Sequence, residues 1–369
     1  MKTLESMVKM GHENIIYGYD EETGLQAIIA IHDTTLGPAI GGTRFYDYAC
    51  QDEALYDVLR LSKGMTYKNA AAGLKNGGGK AVIIGDPKKL KTPELLKAYG
   101  RIVNRTNGSY YTAEDMNINC DDVAHINSET PYCVGRPAVS GNPSPYTARG
   151  VYQGIKACAK AVFGTPDLKG RTINVTGVGS VGMNLVRMLV EDGAIVRVAD
   201  VYGPAVDKAV AEYGVTPAQV NLIHQLEADI FAPCAMGAVV SKDNAEEFNC
   251  KIIAGAANNV LVDDEAGEKL HELGILYAPD YIINAGGVIN CGLEIAEGGW
   301  SKEKADALVD KVYDNVAMVL EMAQEKNIPT YRAADEYAIS IIQAAKEKAS
   351  GKALFIPEGH PDTGVSETA

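Results

Sequence analysis

The sequence predicts an α/β protein of two domains, the second built on a doubly wound parallel sheet. Three observations predict it. A strand, a glycine-rich turn, a helix and a second strand follow one another over 172–200. Beyond that unit, short apolar strands alternate with amphipathic stretches, the pattern of a parallel sheet with helical crossovers. A Pro/Gly/Ser-rich segment over 135–145 interrupts a chain of 369 residues, too long for one ordinary core.

Hydrophobic content of 46% with 22% charge allows sizeable cores. The formal net charge of −14 argues against nucleic-acid or anionic-membrane partners, which need a basic footprint. It leaves room for an anionic small substrate held by local lysines. The first residues lack the apolar core of a signal peptide, and no apolar run approaches the roughly 18–20 residues of a membrane span. Seven cysteines with no C-x-x-C pair read as free thiols of a reducing cytoplasm. The six histidines lack paired ligand spacing, so no metal site is expected and they read as structural or surface residues.

Residues 1–14 read as a helix and 25–31 as a strand, followed by a glycine-dense loop over 32–44. Gly41 and Gly42 in that loop make either a tight turn or a pocket rim. From Asp52 the pattern turns helical. Ala54, Val58, Leu61, Met65 and Ala72 form one inward stripe, and Lys68 fills the gap in it. A lysine on an apolar face must snorkel, pair or serve a site. The stripe runs into Gly77-Gly78-Gly79-Lys80 and an apolar strand. Three glycines let another molecule approach the backbone, and Lys80 is either a salt-bridged structural residue or a working amine. Converging on one cleft, Lys68 and Lys80 suit an anionic substrate, one holding a carboxylate while the other moves a proton.

Thr92-Pro93-Glu94 opens the next helix, with a cap, a proline at the first position and an acid in the first turn; it runs to about Arg105. After a short strand at 109–111, Glu114 and Asp115 are either a helix cap or a carboxylate that tunes an amine. The segment 135–145 then marks an irregular connection and a domain boundary. We expect 1–140 with 331–369 in one domain and 141–330 in the other.

A helix over 147–163 precedes the strand Thr172-Ile173-Asn174-Val175-Thr176 and the turn Gly177-Val178-Gly179-Ser180-Val181-Gly182. A helix over 183–193 follows, and then a strand ending in Asp200. Together these form a dinucleotide-binding unit, a Rossmann-like arrangement in which the helix N-terminus faces the phosphates. Asp200 suits a ribose 2′-hydroxyl and repels a 2′-phosphate, so NAD is expected over NADP. Strands at 229–232, 251–254 and 275–277 place Pro233, Gly255 to Asn259 and Asn284 to Gly287 at carboxyl ends, where ligands sit in a parallel sheet. Turn chemistry accounts equally well for Pro233 and Gly255. From Lys302 the chain reads as long amphipathic helix broken at 327–330. Residues 334–349 return over the first domain, and a partly mobile tail starts at Gly351.

Five motifs carry a resemblance: Leu36-Gly37-Pro38-Ala39, Gly64-Met65-Thr66-Tyr67-Lys68-Asn69, Gly77-Gly78-Gly79-Lys80, Ile230-Phe231-Ala232-Pro233-Cys234, and Tyr277-Ala278-Pro279-Asp280 through Asn290. From about Lys9 to Ala349 the chain resembles the glutamate/leucine/phenylalanine/valine dehydrogenase superfamily and, within it, the leucine dehydrogenases. The resemblance implies reversible, NAD-dependent oxidative deamination of a branched-chain L-amino acid to a 2-oxo acid and ammonia. It also implies a homo-oligomer, an octamer or another, assembled through the first domain. By position it makes Lys80 the general acid/base, assisted by Asp115, and gives Lys68 the substrate carboxylate. Gly41, Gly42, Met65 and Asn259 would contact substrate, with Ile40, Ala113, Val288 and Cys291 around its side chain. Thr147, Gly177, Val178, Gly179, Ser180, Val181, Gly182, Met183, Asp200, Asn259 and Asn284 would hold the dinucleotide. Cys291 departs from the valine usual in the family. A lysine base needs burial and a neighbouring cation, because its ordinary pKa of about 10.4 is too high. A phenylalanine- or tryptophan-preferring enzyme and a non-catalytic NAD-binding sensor are the alternatives.

Overall fold

The structure, a computed structural model, describes residues 3–235 and 237–350. Its first sheet comprises Asn14–Asp20 (β1), Leu25–Asp33 (β2), Ala39–Tyr46 (β3), Gly77–Ile84 (β4) and Tyr110–Ala113 (β5), in the order β1-β2-β4-β3-β5. β2 runs antiparallel to β1 and β4, whereas β3 runs parallel to β4 and β5. Helices Thr3–Met10 (α1), Gln51–Ala71 (α2), Pro87–Leu90 (α3), Pro93–Asn104 (α4) and Cys120–Asn127 (α5) surround it. Alternate side chains of β2 serve opposite faces, as a period of two requires. Leu25, Ala27, Ile29 and Ile31 pack with Leu95, Tyr99 and Ile102 of α4, while Ile28 and Ala30 pack with Leu55, Val58 and Leu59 of α2.

The second sheet is parallel throughout: Thr172–Thr176 (β6), Ile195–Ala199 (β7), Thr216–Pro217 (β8), Ile230–Pro233 (β9), Ile252–Ile253 (β10) and Leu276–Tyr277 (β11). Its order, β11-β10-β9-β6-β7-β8, reverses between β6 and β9, which opens a crevice at the carboxyl edge. Helices Ser144–Phe163 (α6), Ser180–Glu191 (α7), Gly203–Tyr213 (α8), Asp264–Glu272 (α9), Asp280–Ile283 (α10), Gly286–Gly292 (α11), Lys302–Asp310 (α12), Val312–Lys326 (α13) and Thr330–Ser350 (α14) complete it. α14 returns against α2, and Lys346 Nζ pairs with Asp33 Oδ2 at 2.7 Å. The irregular connection is tied down by Glu294, whose buried carboxylate accepts from the Gly135 and Arg136 amides and from Ser140 Oγ.

Several expectations need correction. The helix expected over 1–14 ends at Met10, where Gly11 takes φ +79°, and Asn14 already opens β1. The loop expected over 32–44 contains most of β3, whose two glycines broke the alternation that marks a strand. The three glycines of β4 admit the protein's own atoms instead of a ligand. A Cβ on Gly78 would lie 2.1 Å from the Thr66 amide nitrogen of α2, and one on Gly77 2.2 Å from the Asp33 carbonyl oxygen. The stripe on α2 divides in two: Ala54 and Val58 enter the core, whereas Leu61 and Met65 border a cleft. Helix α6 begins at Ser144 and α7 at Ser180, three residues before the expected starts, and β5 ends at Ala113. The tail expected from Gly351 lies outside the described residues. Among the described residues, no helix is long and apolar enough to cross a membrane.

Candidate active site

Lys80 is the fourth residue of β4 and faces Ala30 of β2 in register. Gly42, in the neighbouring strand β3, pairs with Ala113 of β5. A Cβ on Gly42 would lie 2.2 Å from the Glu114 carbonyl oxygen and 2.9 Å from Asp115 Cβ. Only glycine there lets the segment after β5 fold across the sheet, and that crossing delivers Asp115 to Lys80. Lys80 Nζ lies 3.2 Å from Asp115 Oδ1. The other carboxylate oxygen, Oδ2, accepts from Arg44 Nε at 3.1 Å. Burial pushes the Asp115 carboxyl upward, but the Lys80 ammonium and then the Arg44 guanidinium outweigh it and hold it at about 2.

Lys68 comes from the last turn of α2 and donates to Asn284 Oδ1, at the end of α10, at 2.6 Å. Burial brings its ammonium down to about 8, with the Asp280 carboxylate opposing the shift and Lys80 adding to it. Lys68, Lys80 and Asp115 therefore share one cleft, of about 310 Å³, between the two sheets. Every residue expected to touch substrate lines it: Ile40, Gly41, Gly42, Met65, Lys68, Ala113, Asn259, Val288 and Cys291. One end of the cleft is apolar, with Ile40, Val134 and Cys291 packed together and Ala113 against them. Thr147, expected at the dinucleotide, borders the same cleft. Asn284 is buried and faces Lys68; its Nδ2 donates to the Ala256 carbonyl and to Asn258 Oδ1.

Arg44, Asp57, Arg60 and Asp280 were not expected at the site. Arg44 closes the segment expected as a loop, Asp57 and Arg60 fall outside the apolar stripe of α2, and Asp280 lies within one of the five motifs that carry the resemblance. The signal available was charge on elements already carrying site residues, but pairing across 71 or 13 residues has no local sequence signature.

The elements expected to hold a dinucleotide gather at the carboxyl edge of the second sheet. Gly177 takes φ +87°, and a Cβ there would lie 2.6 Å from the Ala235 amide nitrogen. Gly182 packs its missing side chain onto the Gly177 carbonyl, which holds α7 close to the turn. Gly179 faces open space, and α7 starts with no side-chain cap on its amides. Free amides beside an unobstructed glycine fit a pyrophosphate. Asp200 Oδ2 accepts from the Val178 amide at 2.8 Å and Oδ1 from that of Tyr202 at 2.9 Å. Gly177 and Asp200 border a mainly apolar cavity of about 330 Å³ with Val201, Ile223 and Phe231. Val178, Gly179, Ser180 and Met183 border a shallower depression. Val181 and Gly182 border neither; Val181 packs against the core.

Among the described residues, two histidines are buried. His12 Nε2 lies 2.7 Å from Ser62 Oγ, His32 Nδ1 lies 2.8 Å from Thr66 Oγ1, and the rings meet edge-on at 4.8 Å. Both hydroxyls belong to α2, on its core side. All seven thiols are free, and no cluster of three or more metal-ligating side chains occurs among the described residues.

Two family models match the chain: the Glu/Leu/Phe/Val dehydrogenase dimerisation domain over 12–132, and Glutamate/Leucine/Phenylalanine/Valine dehydrogenase over 205–350. A leucine dehydrogenase of Bacillus subtilis is 48% identical over 98% of both chains. A phenylalanine dehydrogenase of Thermoactinomyces intermedius is 46% identical, covering 90% of this chain and 91% of its own. The crystal structure of L-tryptophan dehydrogenase from Nostoc punctiforme superposes with a TM-score of 0.83 at 42% identity, covering 93% of this chain and 99% of that one.

Proposed function

Because this chain belongs to the glutamate/leucine/phenylalanine/valine dehydrogenase family, we propose that it oxidatively deaminates leucine, and valine or isoleucine, with NAD as acceptor. One observation carries the reading: two lysines and an aspartate converge on a cleft whose far end is apolar. The likeness to leucine dehydrogenases over almost the whole chain supports the same substrate class.

When bound, the nicotinamide dinucleotide supplies the hydride acceptor for the amino acid's α-hydrogen. The protein's part is binding, orientation and proton transfer. Lys68 pairs with the substrate carboxylate, and Asn284 fixes its ammonium. Ile40, Ala113, Val134, Val288 and Cys291 take the branched side chain, which their apolar surfaces desolvate. Lys80, as the free amine, accepts the proton of the water that adds to the iminium carbon and returns it to the nitrogen. The C–N bond then breaks with loss of ammonia as the hydroxyl becomes the 2-oxo group; Asp115 orients the ammonium form of Lys80. Asp200 favours a free ribose 2′-hydroxyl over a 2′-phosphate, by charge.

We assign substrate binding to the first sheet with α14 and dinucleotide binding to the second, with the boundary near 140. The exposed Tyr17 and Tyr19 of edge strand β1 support homo-oligomerisation through the first body, and seven free thiols support a reducing, cytoplasmic setting. A panel of leucine, valine, isoleucine, phenylalanine and tryptophan, each with NAD and NADP, tests the assignment. Leucine with NAD is expected to give the highest kcat/KM. An aromatic preference would overturn the branched-chain assignment, and equal use of NADP would overturn that of NAD.

A further inference from the structure

Asp115 is held by two cations, and the proposed chemistry uses one of them. Arg44 presents Nε to Asp115 Oδ2 at 3.1 Å and Nη1 to Asp57 Oδ2 at 2.9 Å. Asp57 is anchored in turn: Tyr48 OH donates to the same oxygen at 2.8 Å, and Arg60 Nη2 pairs with Oδ1 at 2.9 Å. Arg60 then reaches over the cleft, with Nη1 3.5 Å from Asn259 Oδ1. Arg44 and Asp57 are both largely shielded, with side chains 18% and 15% exposed.

We propose that Arg44 is the positioning residue of the acid–base pair: gripped by Asp57, its planar fork fixes Asp115 Oδ2 and so aims Oδ1 at Lys80. The inference rests on the roles assigned above to Lys80 and Asp115. Three features argue for it. Arg44 borders the cleft, so its contact is made where substrate reacts. Its two carboxylate partners sit on different elements, α2 and the segment after β5, which only a guanidinium bridges with fixed direction. Among the described residues, Asp115 is the one carboxylate that Arg44 and Lys80 share, so whatever Arg44 takes of its charge Lys80 does not receive.

The groups facing Asp115 are Lys80 from β4, Arg44 from β3 and Lys68 from α2, with Glu114 beside it in the chain. Asp280, at the start of α10, acts on Lys68 from the other wall. Without Arg44 the whole carboxylate charge falls to Lys80. An ammonium next to an uncompensated carboxylate gives up its proton less readily, so the amine form that activates water requires a higher pH.

The test compares Arg44→Met, Arg44→Lys and Asp57→Asn with Lys80→Ala and Asp115→Asn, reading kcat and KM for leucine from pH 6 to 11. Arg44→Met is expected to lower kcat by roughly 10- to 100-fold and to move the acid limb of kcat upward by about one pH unit. KM should change less than about threefold. Arg44→Lys should restore the limb but only part of kcat, since an ammonium cannot hold both carboxylates in the fork geometry. Asp57→Asn keeps the side chain's size but releases the anchor of Arg44, so it should lower kcat with KM changing less than about threefold. Because Asp57 then no longer competes for the guanidinium, the limb should not move upward, and the loss of kcat is readable even if Arg44→Met fails to fold. A limb unmoved in a folded Arg44→Met, an unchanged kcat in Asp57→Asn, or a loss confined to KM overturns the proposal. Full turnover by Asp115→Asn would instead overturn the site assignment beneath it. An inactive Asp115→Asn beside a wild-type limb in Arg44→Met, or beside a wild-type kcat in Asp57→Asn, would remove this inference alone.

Discussion

Lys68 Nζ donates to Asn284 Oδ1 at 2.6 Å, joining a helix of the first sheet to the loop edge of the second. The amide of Asn284 is itself pinned by Ala256 and Asn258, so the ammonium is located from both walls of the cleft. A cation fixed this way can orient a carboxylate without first paying the entropy of its own long side chain.

Lys68→Met is expected to raise KM for leucine by about 100-fold or more, the scale of losing a charge-assisted pair in a desolvated cleft, with a smaller fall in kcat. Steady-state kinetics check it; an unchanged KM would place the carboxylate elsewhere. The wild type has a related pH signature. Its Lys68 loses the proton above about 8, so kcat/KM should fall there, while kcat does not share that limb because bound carboxylate holds the proton on.

Lys80→Ala should lower kcat by about 1,000-fold, within the range for a general base. Dinucleotide affinity, read by fluorescence titration, should change less than about twofold, since the elements proposed to bind it lie on the other sheet. An active variant would take lysine out of the mechanism.

Asp200→Ser removes the charge proposed to oppose a 2′-phosphate and keeps an acceptor for the Val178 amide. The ratio of kcat/KM for NAD over NADP should drop by about tenfold or more. An unaltered ratio would contradict the assignment.

The buried histidine pair makes stability depend on pH. Burial, then mutual repulsion, lowers His12 to about 4; burial and Lys63 lower His32 to about 4 against the pull of Asp33. Their folded values lie below the unfolded value of about 6.5, so the unfolded chain binds more protons in that window. Their contribution is therefore complete above pH 6.5 and is lost as pH falls toward 4, up to roughly 2–3 kcal/mol per ring. Urea denaturation at pH 7 and pH 5 should show a clear loss for the wild type and a smaller one for His32→Gln. Equal losses would mean that the ring is not buried neutral.

The sequence was most legible where local chemistry repeats. Thr92 does cap α4, its hydroxyl accepting from the Leu95 amide at 3.2 Å, because an N-cap needs only three neighbouring residues. The glycine turn before α7 was equally plain, since strand, turn, helix and acid lie within one short stretch. The β3 strand was missed for a complementary reason. Its glycines serve contacts with Gly79 and Glu114, partners that sequence order does not reveal.

By itself the sequence determined the doubly wound sheet and the glycine turn before α7, and it pointed to Lys68 and Lys80 at one cleft, because periodicity and φ preference act between near neighbours. Only the tertiary structure decided that Asp115 is divided between Lys80 and Arg44, that Asp57 ties Arg44 to Arg60, and that Asn284 locates Lys68. Those contacts join elements far apart in the chain. Their strength depends on burial and separation, quantities that come into being only when the two sheets close around the cleft.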